Sequence, residues 1–249
     1  MTDKIKLCIV IPCYNEEKRL DINRFSNFIA TQKEVLVCFV NDGSTDNTLK
    51  ILDNLKAKFP LNIETISMPK NVGKAEAVRM GFLHCNATFN HTKIAYLDAD
   101  LATSLEECFE ISEHLTDKIV VAFGSRIAKI DSTIDRKYYR FIIGRVIATF
   151  ISRQLNLKVY DTQCGCKIFE REISKQLFSS EFISKWLFDV ELFHRLIAIY
   201  GLDRMKFIAK EIPLKTWIDY DESKVKMTYF FKLWLDLYQI KKFYTKKTT

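Results

Sequence analysis

The chain has 249 residues, which suits one domain with a large buried core and at most a short appendage. Apolar residues make up 48% of the sequence and charged residues 28%, which excludes a disordered chain. The net charge of +7 is uneven, because residues 224–247 contain seven lysines and one aspartate. A basic, aromatic tail of this kind is compatible with nucleic acid, with acidic lipid or with a solvated helix face.

Cysteine spacing and hydropathy exclude further classes of protein. The seven cysteines are scattered, and the spacing of Cys164 and Cys166 matches neither a redox pair nor half of a structural zinc site. We therefore expect reduced thiols and a cytosolic compartment. No signal peptide is visible, and no stretch approaches the roughly 18 apolar residues that span a bilayer. We expect no transmembrane segment, which leaves binding to a membrane surface open.

The first half of the chain alternates buried strand-like runs with amphipathic stretches. In chain order the pattern predicts a strand at 5–11, a helix at 18–32, a strand at 35–40, a helix ending near 58, a strand at 62–67, a helix from about 73, and strands at 93–97 and 120–123. This alternation predicts an α/β fold, a mostly parallel sheet with helices on both faces.

The second half is more helical. It predicts helices at 136–155, 187–200 and 227–243 and a strand near 206–212. We divide the chain into one α/β domain over residues 1–218 and a basic amphipathic C-terminal helix within residues 219–249.

Polar motifs follow several of the predicted strands, at the edge where parallel α/β sheets bind ligands. Asp98 and Asp100 follow the strand at 93–97. Two carboxylates separated by one small residue suit Mg²⁺ or Mn²⁺, which share oxygen ligands with a diphosphate. An isolated pair of this kind is more often a solvated turn. Asp42 follows the strand at 35–40 and suits a base N–H or a ribose hydroxyl, with a helix cap as the alternative.

Two more segments lie at the same predicted edge. Tyr14, within the segment PCYNE, is placed to flank a base. Gly73 and Lys74 open a helix, where the glycine leaves room for a ligand and the lysine offers a cation to phosphates. The glycine spacing excludes a Walker A loop. For both segments a capped helix or a turn is the alternative.

The ordered set IVIPCYNEE, VNDGSTDNT, KNVGKAEAVRMGF, YLDADLATS and GSR resembles the family 2 glycosyltransferases, which have the GT-A fold. The later segments DTQCGCKIFERE and WLFDVELFHRL are similar to the branch that transfers a sugar to a lipid-linked phosphate. Within that branch, DADLAT and DTQCG most resemble the dolichyl-phosphate β-glucosyltransferases, with dolichyl-phosphate mannose synthases as near relatives. The resemblance covers residues 5–217 and implies a Rossmann-like GT-A sheet.

The resemblance also implies a role for each matching position. The nucleoside side of a nucleotide-sugar donor would be held by Pro12, Tyr14, Glu16 and Asp42, with Lys74 and Asp98 also at the donor. Asp98 and Asp100 would hold Mg²⁺ or Mn²⁺, and Asp100 would also meet the diphosphate. Arg126 would face the phosphates, and Asp161, Gln163 and Lys167 would line the sugar and acceptor pocket, supported by Asp189 and Glu191. The catalytic candidates are Asp100, Asp161 and Asp189.

Basic residues near the acceptor segment favour a phosphate acceptor. They are Arg126, Arg136, Lys137, Arg140 and Arg145, of which Arg126, Arg140 and Arg145 are the strongest candidates. A phosphate monoester is already ionised near neutral pH and needs positioning more than a general base. A hydroxyl acceptor would need Asp161 or Asp189 as the base. For any one of the basic residues a solvated helix face is an equal alternative.

Three features depart from the family pattern. Ala102 stands where many relatives carry Gln, which puts a third metal-side ligand in doubt. Cys166 replaces the usual aromatic residue after the glycine, a change that we assign to packing. The membrane-spanning N-terminal segment of dolichyl-phosphate glucosyltransferases is not seen in the sequence.

The basic tail carries an apolar stripe at helical spacing. Its members are Met227, Phe230, Phe231, Trp234, Leu237 and Tyr238, with lysines around them. This pattern favours a helix lying in a membrane interface, with a helix packed on the core or on a partner subunit as the alternative. No nucleic-acid recognition motif accompanies the charge. We expect a cytoplasmic protein, peripheral on the cytoplasmic face of a membrane, and leave its oligomeric state open.

The leading hypothesis for function is inverting transfer of glucose from UDP-glucose to a polyprenyl or dolichyl phosphate. Transfer from GDP-mannose, or to a glycan hydroxyl, is the alternative within the same class. A non-catalytic sugar-nucleotide-binding scaffold is the alternative of another class. Asp42, Asp98 and Asp100 disfavour the scaffold, because a protein without turnover needs no metal site.

Overall fold

A seven-stranded sheet forms the centre of the protein. The structure, a computed structural model, describes residues 5–135, 138–218 and 229–245. The strands are β1 (Ile5–Cys13), β2 (Val35–Asn41), β3 (Ile63–Ser67), β4 (His91–Leu97), β5 (Val121–Ser125), β6 (Thr133–Asp135), β7 (Cys166–Glu170), β8 (Ala209–Pro213) and β9 (Thr216–Ile218). The helices are α1 (Ile22–Thr31), α2 (Thr48–Lys58), α3 (Lys74–Thr88), α4 (Leu105–Ser112), α5 (Tyr138–Leu155), α6 (Arg171–Leu177), α7 (Phe188–Tyr200), α8 (Met205–Ile208) and α9 (Tyr229–Thr245).

The strand order is β3-β2-β1-β4-β7-β5-β8, and β6 pairs with β9 in a separate two-stranded sheet. β7 runs antiparallel to both of its neighbours, and the other strand pairs of the large sheet are parallel. The prediction of a mostly parallel sheet covered by helices is confirmed. The sequence pattern did not predict β6, β7, β9, α4, α6 or α8. The strand predicted near 206–212 begins only at Ala209, because residues 205–208 form α8.

Both faces of the sheet are buried, and β1 shows how the sequence achieves this. Cys8 and Val10 point into the hydrophobic cluster on one face, whereas Leu7, Ile9 and Ile11 point into the cluster on the other. Successive side chains of a strand alternate between faces, so a strand covered on both sides must be apolar throughout. This is why β1 and β2 read as continuous hydrophobic runs.

Helix α3 lies close against β1 and β2. A Cβ atom built on Gly81 would overlap with Val10 Cγ1 and approach Val40 Cγ2. The glycine therefore lets the helix backbone approach the sheet more closely than any other residue would. This close packing fixes the position of the N-terminus of α3, where Lys74 lies.

The inner face of α9 packs on the core. Leu233, Leu237 and Ile240 are buried in the same cluster as α7. Near the middle of the helix, Ser184 Oγ donates to Asp236 Oδ2 at 2.5 Å, and near its C-terminal end Tyr244 Oη donates to Glu191 Oε1 at 2.9 Å. For this face of the C-terminal helix, the alternative of packing on the core therefore holds.

Part of the predicted tail stripe faces inward. Leu237 is buried and Trp234 packs partly against the core, whereas Tyr238 is 62% exposed. Met227 and the side chains of Phe230 and Phe231 lie outside the described residues. Within the parts of the chain that the structure describes, no helix has the length and hydropathy to cross a bilayer.

Candidate active site

The loops after β1, β2, β4 and β5 meet at one edge of the sheet, because these strands run parallel. Asp42 follows β2, Asp98 follows β4 and Arg126 follows β5. β7 runs the opposite way, so its first residues start at the same edge and bring Gly165 beside Asp98. The predicted donor residues therefore come together, as the strand-end argument requires.

Each carboxylate of the acidic pair is held by a cation from another segment. Lys74 Nζ lies 2.5 Å from Asp98 Oδ1, and Arg19 Nη2 lies 3.1 Å from Asp100 Oδ2. Burial and the neighbouring charge of Asp98 raise the pKa of Asp100. Burial opposes the charge on Lys74, but the acidic groups around it, Asp98 foremost, raise its pKa above the ordinary value. The two carboxylates thus lie close enough to disfavour each other's charge, and each has one cation beside it.

Gly165 makes room for the Asp98 carboxylate. A Cβ atom on Gly165 would overlap with the carboxyl carbon and oxygens of Asp98. The backbone N–H of Asp98 donates to the carbonyl of Gly165 at 3.1 Å, which joins the two segments. Any larger residue at position 165 must move the carboxylate.

The turn that carries the acidic pair is strained. Leu101 adopts φ 50°, a left-handed conformation that costs a leucine roughly 1–2 kcal/mol. Its side chain is buried in the core, and its N–H donates to the carbonyl of Asp98 at 3.1 Å. Asp100 Oδ1 accepts from the N–H of Ala102 at 3.1 Å, which completes the turn. Core packing of Leu101 therefore fixes the direction of the two carboxylates.

Asp42 clamps the loop before α3. Its two carboxylate oxygens accept from the N–H groups of Val72 at 2.8 Å and Gly73 at 3.0 Å. Burial raises the pKa of Asp42, and the two amide bonds act against that rise. Because each oxygen has a second lone pair, the side chain still has acceptor capacity for a base or a ribose.

The loop after β1 is locked to the loop after β2. The N–H of Glu16 donates to Thr48 Oγ1 at 2.8 Å, and the N–H of Asn15 donates to Ser44 Oγ at 3.0 Å. Pro12 lies near the end of β1, and Tyr14 just beyond it is 37% exposed. Glu16 Oε2 also lies 3.5 Å from Arg19 Nε, which links this loop to Asp100.

Lys167 and Asp189 form a buried pair below this edge. Lys167 Nζ donates to Asp189 Oδ1 at 2.6 Å, to the carbonyl of Cys164 at 2.7 Å and to Tyr96 Oη at 2.9 Å. Tyr96 Oη in turn donates to Asp189. Burial raises the pKa of Asp189 to about 8 and lowers that of Lys167 to about 8. The two groups lie in direct contact, at 2.6 Å.

The three N–H donors of Lys167 are all used by these acceptors. The lysine is 1% exposed, so its ammonium is not presented to the surface. It instead holds the carbonyl of Cys164, directly before Gly165. Its position in the structure is that of a support for the segment beside Asp98.

Arg126 and Asp161 form a second ion pair, at the end of β5. Arg126 Nε and Nη2 donate to the two carboxylate oxygens of Asp161 at 2.6 and 2.8 Å. The backbone N–H of Arg126 also donates to Asp161, at 3.2 Å. Arg126 holds the pKa of Asp161 well below its usual range, although burial alone would raise it. Burial opposes the charge on Arg126, but Asp161 and the more distant Asp98 raise its pKa.

Glu211 and Arg145 hold the segment that carries Asp161. Glu211 Oε1 accepts from the N–H of Asp161 at 2.8 Å and from Ser125 Oγ at 2.7 Å. Arg145 Nη1 donates to the carbonyl of Tyr160 at 2.8 Å, and its guanidinium carbon lies 3.6 Å from the centre of the Tyr160 ring. Arg145 thus acts on the backbone in this structure.

The remaining predicted acceptor residues are less closely placed. The N–H of Gln163 donates to Asp161 Oδ1 at 3.1 Å, and its side chain is partly buried. The side chain of Arg140 and all of Arg136 and Lys137 lie outside the described residues. Glu191 binds Arg195 and Tyr244 and joins α7 to α9.

Sequence reasoning missed several residues of the site. Tyr96 and Gly165 lie within the quoted segments YLDADLATS and DTQCGCKIFERE but were assigned no role, and Arg19 and Glu211 lie outside every quoted motif. Arg19 carries a weak signal, because it lies three residues after Glu16, a spacing at which helical side chains meet. The partner of Asp100 comes from a distant loop, which a single sequence does not reveal.

The donor set of the acidic pair fits a hard divalent cation. Two neighbouring carboxylates supply the oxygen ligands that Mg²⁺ and Mn²⁺ prefer, and these cations take their other ligands from water and phosphate. Among residues 5–135, 138–218 and 229–245, no group of three or more His, Cys, Asp or Glu side chains forms a complete protein cage. Such a cation would therefore take its remaining oxygen ligands from water or from a bound phosphate.

The chain belongs to glycosyl transferase family 2. The family model described as "Glycosyl transferase family 2" matches residues 8–178, most of the sheet and the acidic pair. The fold and the strand-end acids agree with this assignment, so the class of the protein is a glycosyltransferase.

Curated relatives place the chain within the family. It is 32% identical to a dolichyl-phosphate beta-glucosyltransferase of Trichomonas vaginalis, over 93% of this chain and 69% of the relative. It is 33% identical to the dolichyl-phosphate beta-glucosyltransferase of Homo sapiens, over 88% of this chain and 69% of the relative. The Saccharomyces cerevisiae enzyme of the same name is 32% identical over 90% of this chain and 70% of the relative.

Solved structures support the fold. Glucosyl-3-phosphoglycerate synthase from Mycobacterium tuberculosis in complex with UDP has a TM-score of 0.63 at 15% identity, over 95% of this chain and 80% of that chain. The same synthase with Mn²⁺, UDP-glucose and phosphoglyceric acid has a TM-score of 0.64 at 17% identity, over 95% of this chain and 79% of that chain. The expected GT-A fold is confirmed.

The Arg126–Asp161 pair makes a testable contribution to stability. Replacing Asp161 by Asn leaves a mostly buried guanidinium without its counter-charge, and we expect the free energy of unfolding to fall by about 3 kcal/mol at neutral pH. Because the folded pKa of Asp161 is depressed, this advantage of the wild type is present above the unfolded value and shrinks as the pH falls below about 4. Urea denaturation at several pH values measures it.

The control for this prediction is Asp131→Asn. Asp131 lies 3.4 Å from Lys129, but its side chain is 79% exposed, so we expect a change within about 0.5 kcal/mol at every pH. Equal effects of the two substitutions at neutral pH would contradict the structural role of Asp161.

Proposed function

We propose that the protein transfers glucose from UDP-glucose to a polyprenyl or dolichyl phosphate with inversion at the anomeric carbon. The acceptor phosphate attacks from the face opposite the leaving UDP, and an α-linked donor gives a β-linked product. The similarity to dolichyl-phosphate beta-glucosyltransferases over about nine-tenths of the chain supports both the sugar and the acceptor class.

The observation that carries this proposal is the state of the two carboxylates that a hydroxyl acceptor would need. Asp161 accepts from three N–H groups of Arg126 and is held in its ionised form, which makes it a weak base. Burial raises the pKa of Asp189 to about 8, but the residue is only 4% exposed and its Oδ1 accepts from Lys167 and Tyr96, so this carboxylate is not presented to an acceptor. With both candidate bases engaged, the site favours an acceptor that is already ionised, such as a phosphate monoester.

Three cations at or near the acidic pair would suit a sugar diphosphate and an acceptor phosphate. Lys74 and Arg19 are within ion-pair distance of Asp98 and Asp100, and Arg126 lies in the field of Asp98. We propose that Lys74 and Arg19 orient the donor's diphosphate and that Arg126 orients the acceptor phosphate. Asp42, Tyr14, Glu16 and Pro12 would hold the nucleoside.

Asp98 and Asp100 would hold Mg²⁺ or Mn²⁺. When bound, the cation supplies Lewis-acid stabilisation of the charge that grows on the departing diphosphate. The solved glucosyl-3-phosphoglycerate synthase complex with Mn²⁺ and UDP-glucose supports use of a divalent cation here. Lys167 and Asp189 would position the segment of Gly165, and Gln163 would line the sugar side of the pocket.

We also propose that the protein works on the cytoplasmic face of a membrane as a peripheral protein. A polyprenyl phosphate resides in a bilayer, so the site must come to the bilayer surface. The lysines of the C-terminal segment favour an anionic surface.

A transfer assay with a donor panel tests the function. Radiolabelled UDP-glucose and GDP-mannose are each incubated with the protein, Mn²⁺ or Mg²⁺ and a polyprenyl phosphate, and label is measured in the organic extract. We expect label only from UDP-glucose and none after metal chelation. Transfer from GDP-mannose alone, or only to a glycan hydroxyl, would overturn the proposal.

Two variants accompany that assay. Asp100→Asn is expected to lose at least about a hundredfold in turnover, because charge on the leaving group is no longer balanced. Asp131→Asn, on an exposed loop, serves as the control and should transfer like the wild type.

Gly165→Ala tests whether the direction of Asp98 matters. The added methyl group would displace the Asp98 carboxylate, and a misplacement of about 1 Å costs about a hundredfold in turnover. Gly201→Ala is the matched control: it strains a left-handed position, φ 82°, with open space around it at the end of α7. We expect both variants to lose some thermal stability and only Gly165→Ala to lose turnover. Equal turnover of the two variants would contradict a role for the Asp98 carboxylate in the reaction.

A further inference from the structure

Lys185 lies across the start of α3, next to the carboxylate that the nucleoside end of the donor would meet. The residue belongs to the loop before α7, and its backbone carbonyl accepts from the N–H of Ala75 at 3.2 Å. Amide groups in the first turn of a helix have no partner within the helix, so this contact ties the loop to α3. The backbone of Lys185 therefore has a fixed place, whatever its side chain binds.

The side chain of Lys185 runs over Gly73. A Cβ atom built on Gly73 would lie 3.1 Å from Cδ, 3.3 Å from Cβ and 3.4 Å from Cγ of the lysine. The N–H of Gly73 donates to Asp42 Oδ2 at 3.0 Å, so the lysine stem lies directly beside the clamp that Asp42 makes. The space predicted for a ligand at Gly73 is thus occupied by the methylene groups of Lys185.

The ammonium of Lys185 acts on Asp42. Burial raises the pKa of Asp42, whereas the N–H groups of Val72 and Gly73, and after them the charge of Lys185, lower it. Lys185 is exposed, and among the residues that the structure describes its ammonium has no ion-pair or hydrogen-bond partner. A hydrogen-bond acceptor on Asp42 and a charged donor on Lys185 are therefore presented together.

A carboxylate beside an ammonium is complementary to one kind of nucleobase edge. Uracil and guanine carry a ring N–H next to a carbonyl oxygen, whereas cytosine and adenine carry a ring nitrogen lone pair next to an amino group. The ring N–H would donate to Asp42, and the carbonyl oxygen would accept from Lys185. An amino group in the same place would meet the ammonium as donor against donor.

We infer that Lys185 is a base-recognition residue, which acts with Asp42 to select nucleotides whose base carries a carbonyl oxygen beside a ring N–H. The inference rests on the proposed nucleotide-sugar donor. It assigns Lys185 to the base, whereas Lys74 and Arg19 face the diphosphate. The same two side chains reject cytidine and adenosine donors.

Calorimetric titration of UDP and of CDP, each with Mn²⁺, tests this assignment on the wild type and on Lys185→Met. Methionine keeps an unbranched stem over Gly73 and removes the charge, so the fold should be retained, which thermal unfolding checks. We expect the variant to bind UDP about tenfold more weakly, because a charge-assisted hydrogen bond to the base is lost. Its affinity for CDP should be unchanged, so the preference for UDP falls about tenfold.

Two further variants are matched to this one. Lys185→Arg keeps a cation on a long side chain and should restore most of the preference for UDP. Lys33→Met removes an exposed lysine just before β2, at the opposite edge of the sheet, and should leave both affinities unchanged. Equal weakening of UDP and CDP by Lys185→Met would overturn the inference, since the ammonium would then contact the phosphates. Unchanged binding of both nucleotides would overturn it as well.

The glucose-transfer assay separates this inference from the proposed function. A wild type that prefers UDP, loses that preference with Lys185→Met and transfers no glucose would overturn the proposed function and support the base contact. If glucose is transferred and Lys185→Met keeps the wild-type preference for UDP, the proposed function stands and the inference fails. With UDP-glucose as donor, we expect Lys185→Met to raise KM about tenfold and to change kcat much less, because a contact with the base is the same before and during transfer.

Discussion

Two cations from different segments balance the charges of the acidic pair: Lys74 lies beside Asp98, and Arg19 lies beside Asp100. Two acids separated by one residue repel each other, and burial makes that repulsion stronger. The loops after β1 and β2 and the start of α3 are arranged so that each acid has a partner. A site of this kind is ready for a bound group that carries both signs of charge, such as a diphosphate with its cation.

The buried ion pair of Lys167 and Asp189 supports the segment beside the acidic pair. Lys167 lies on β7, opposite Tyr96 of β4 in the strand register, and its ammonium fixes the carbonyl of Cys164. That contact sets the segment of Gly165 against Asp98. Because the charges of Lys167 and Asp189 are buried, removing one of them would leave the other unpaired, which is more costly than the pair itself.

The sequence predicted the parts of the site that depend on strand ends. Buried runs such as those of β1 and β2 end in polar residues, so the positions of Asp42 and Asp98 followed from hydrophobic patterning alone. The pattern missed β7, because the strand is five residues long and one of its buried residues is Lys167. A lysine reads as exposed in any hydrophobic pattern, although here three acceptors neutralise the cost of burying it.

Contacts between distant segments could not be predicted in the same way. Arg19 meets Asp100 across 81 residues of sequence, and Glu211 meets Asp161 across 50. The C-terminal helix shows the same limit. Its spacing predicted an amphipathic helix, and the structure has a helix there. Which of its sides packs on the core depends on the side chains of α5 and α7, which the tail's own sequence does not show. In the structure Leu233, Leu237 and Ile240 of α9 pack on the core, and Trp234 contacts Phe150 of α5.

We propose that Asp98 and Asp100 bind a donor diphosphate through a shared divalent cation. Calorimetric titration of UDP into the protein, with Mn²⁺ and then with a chelator, tests it most directly when repeated on Asp98→Asn and Asp100→Asn. We expect UDP affinity to fall by about tenfold or more without Mn²⁺, and both variants to lose this dependence on the cation. Equally tight UDP binding with and without Mn²⁺ in the wild type would contradict it.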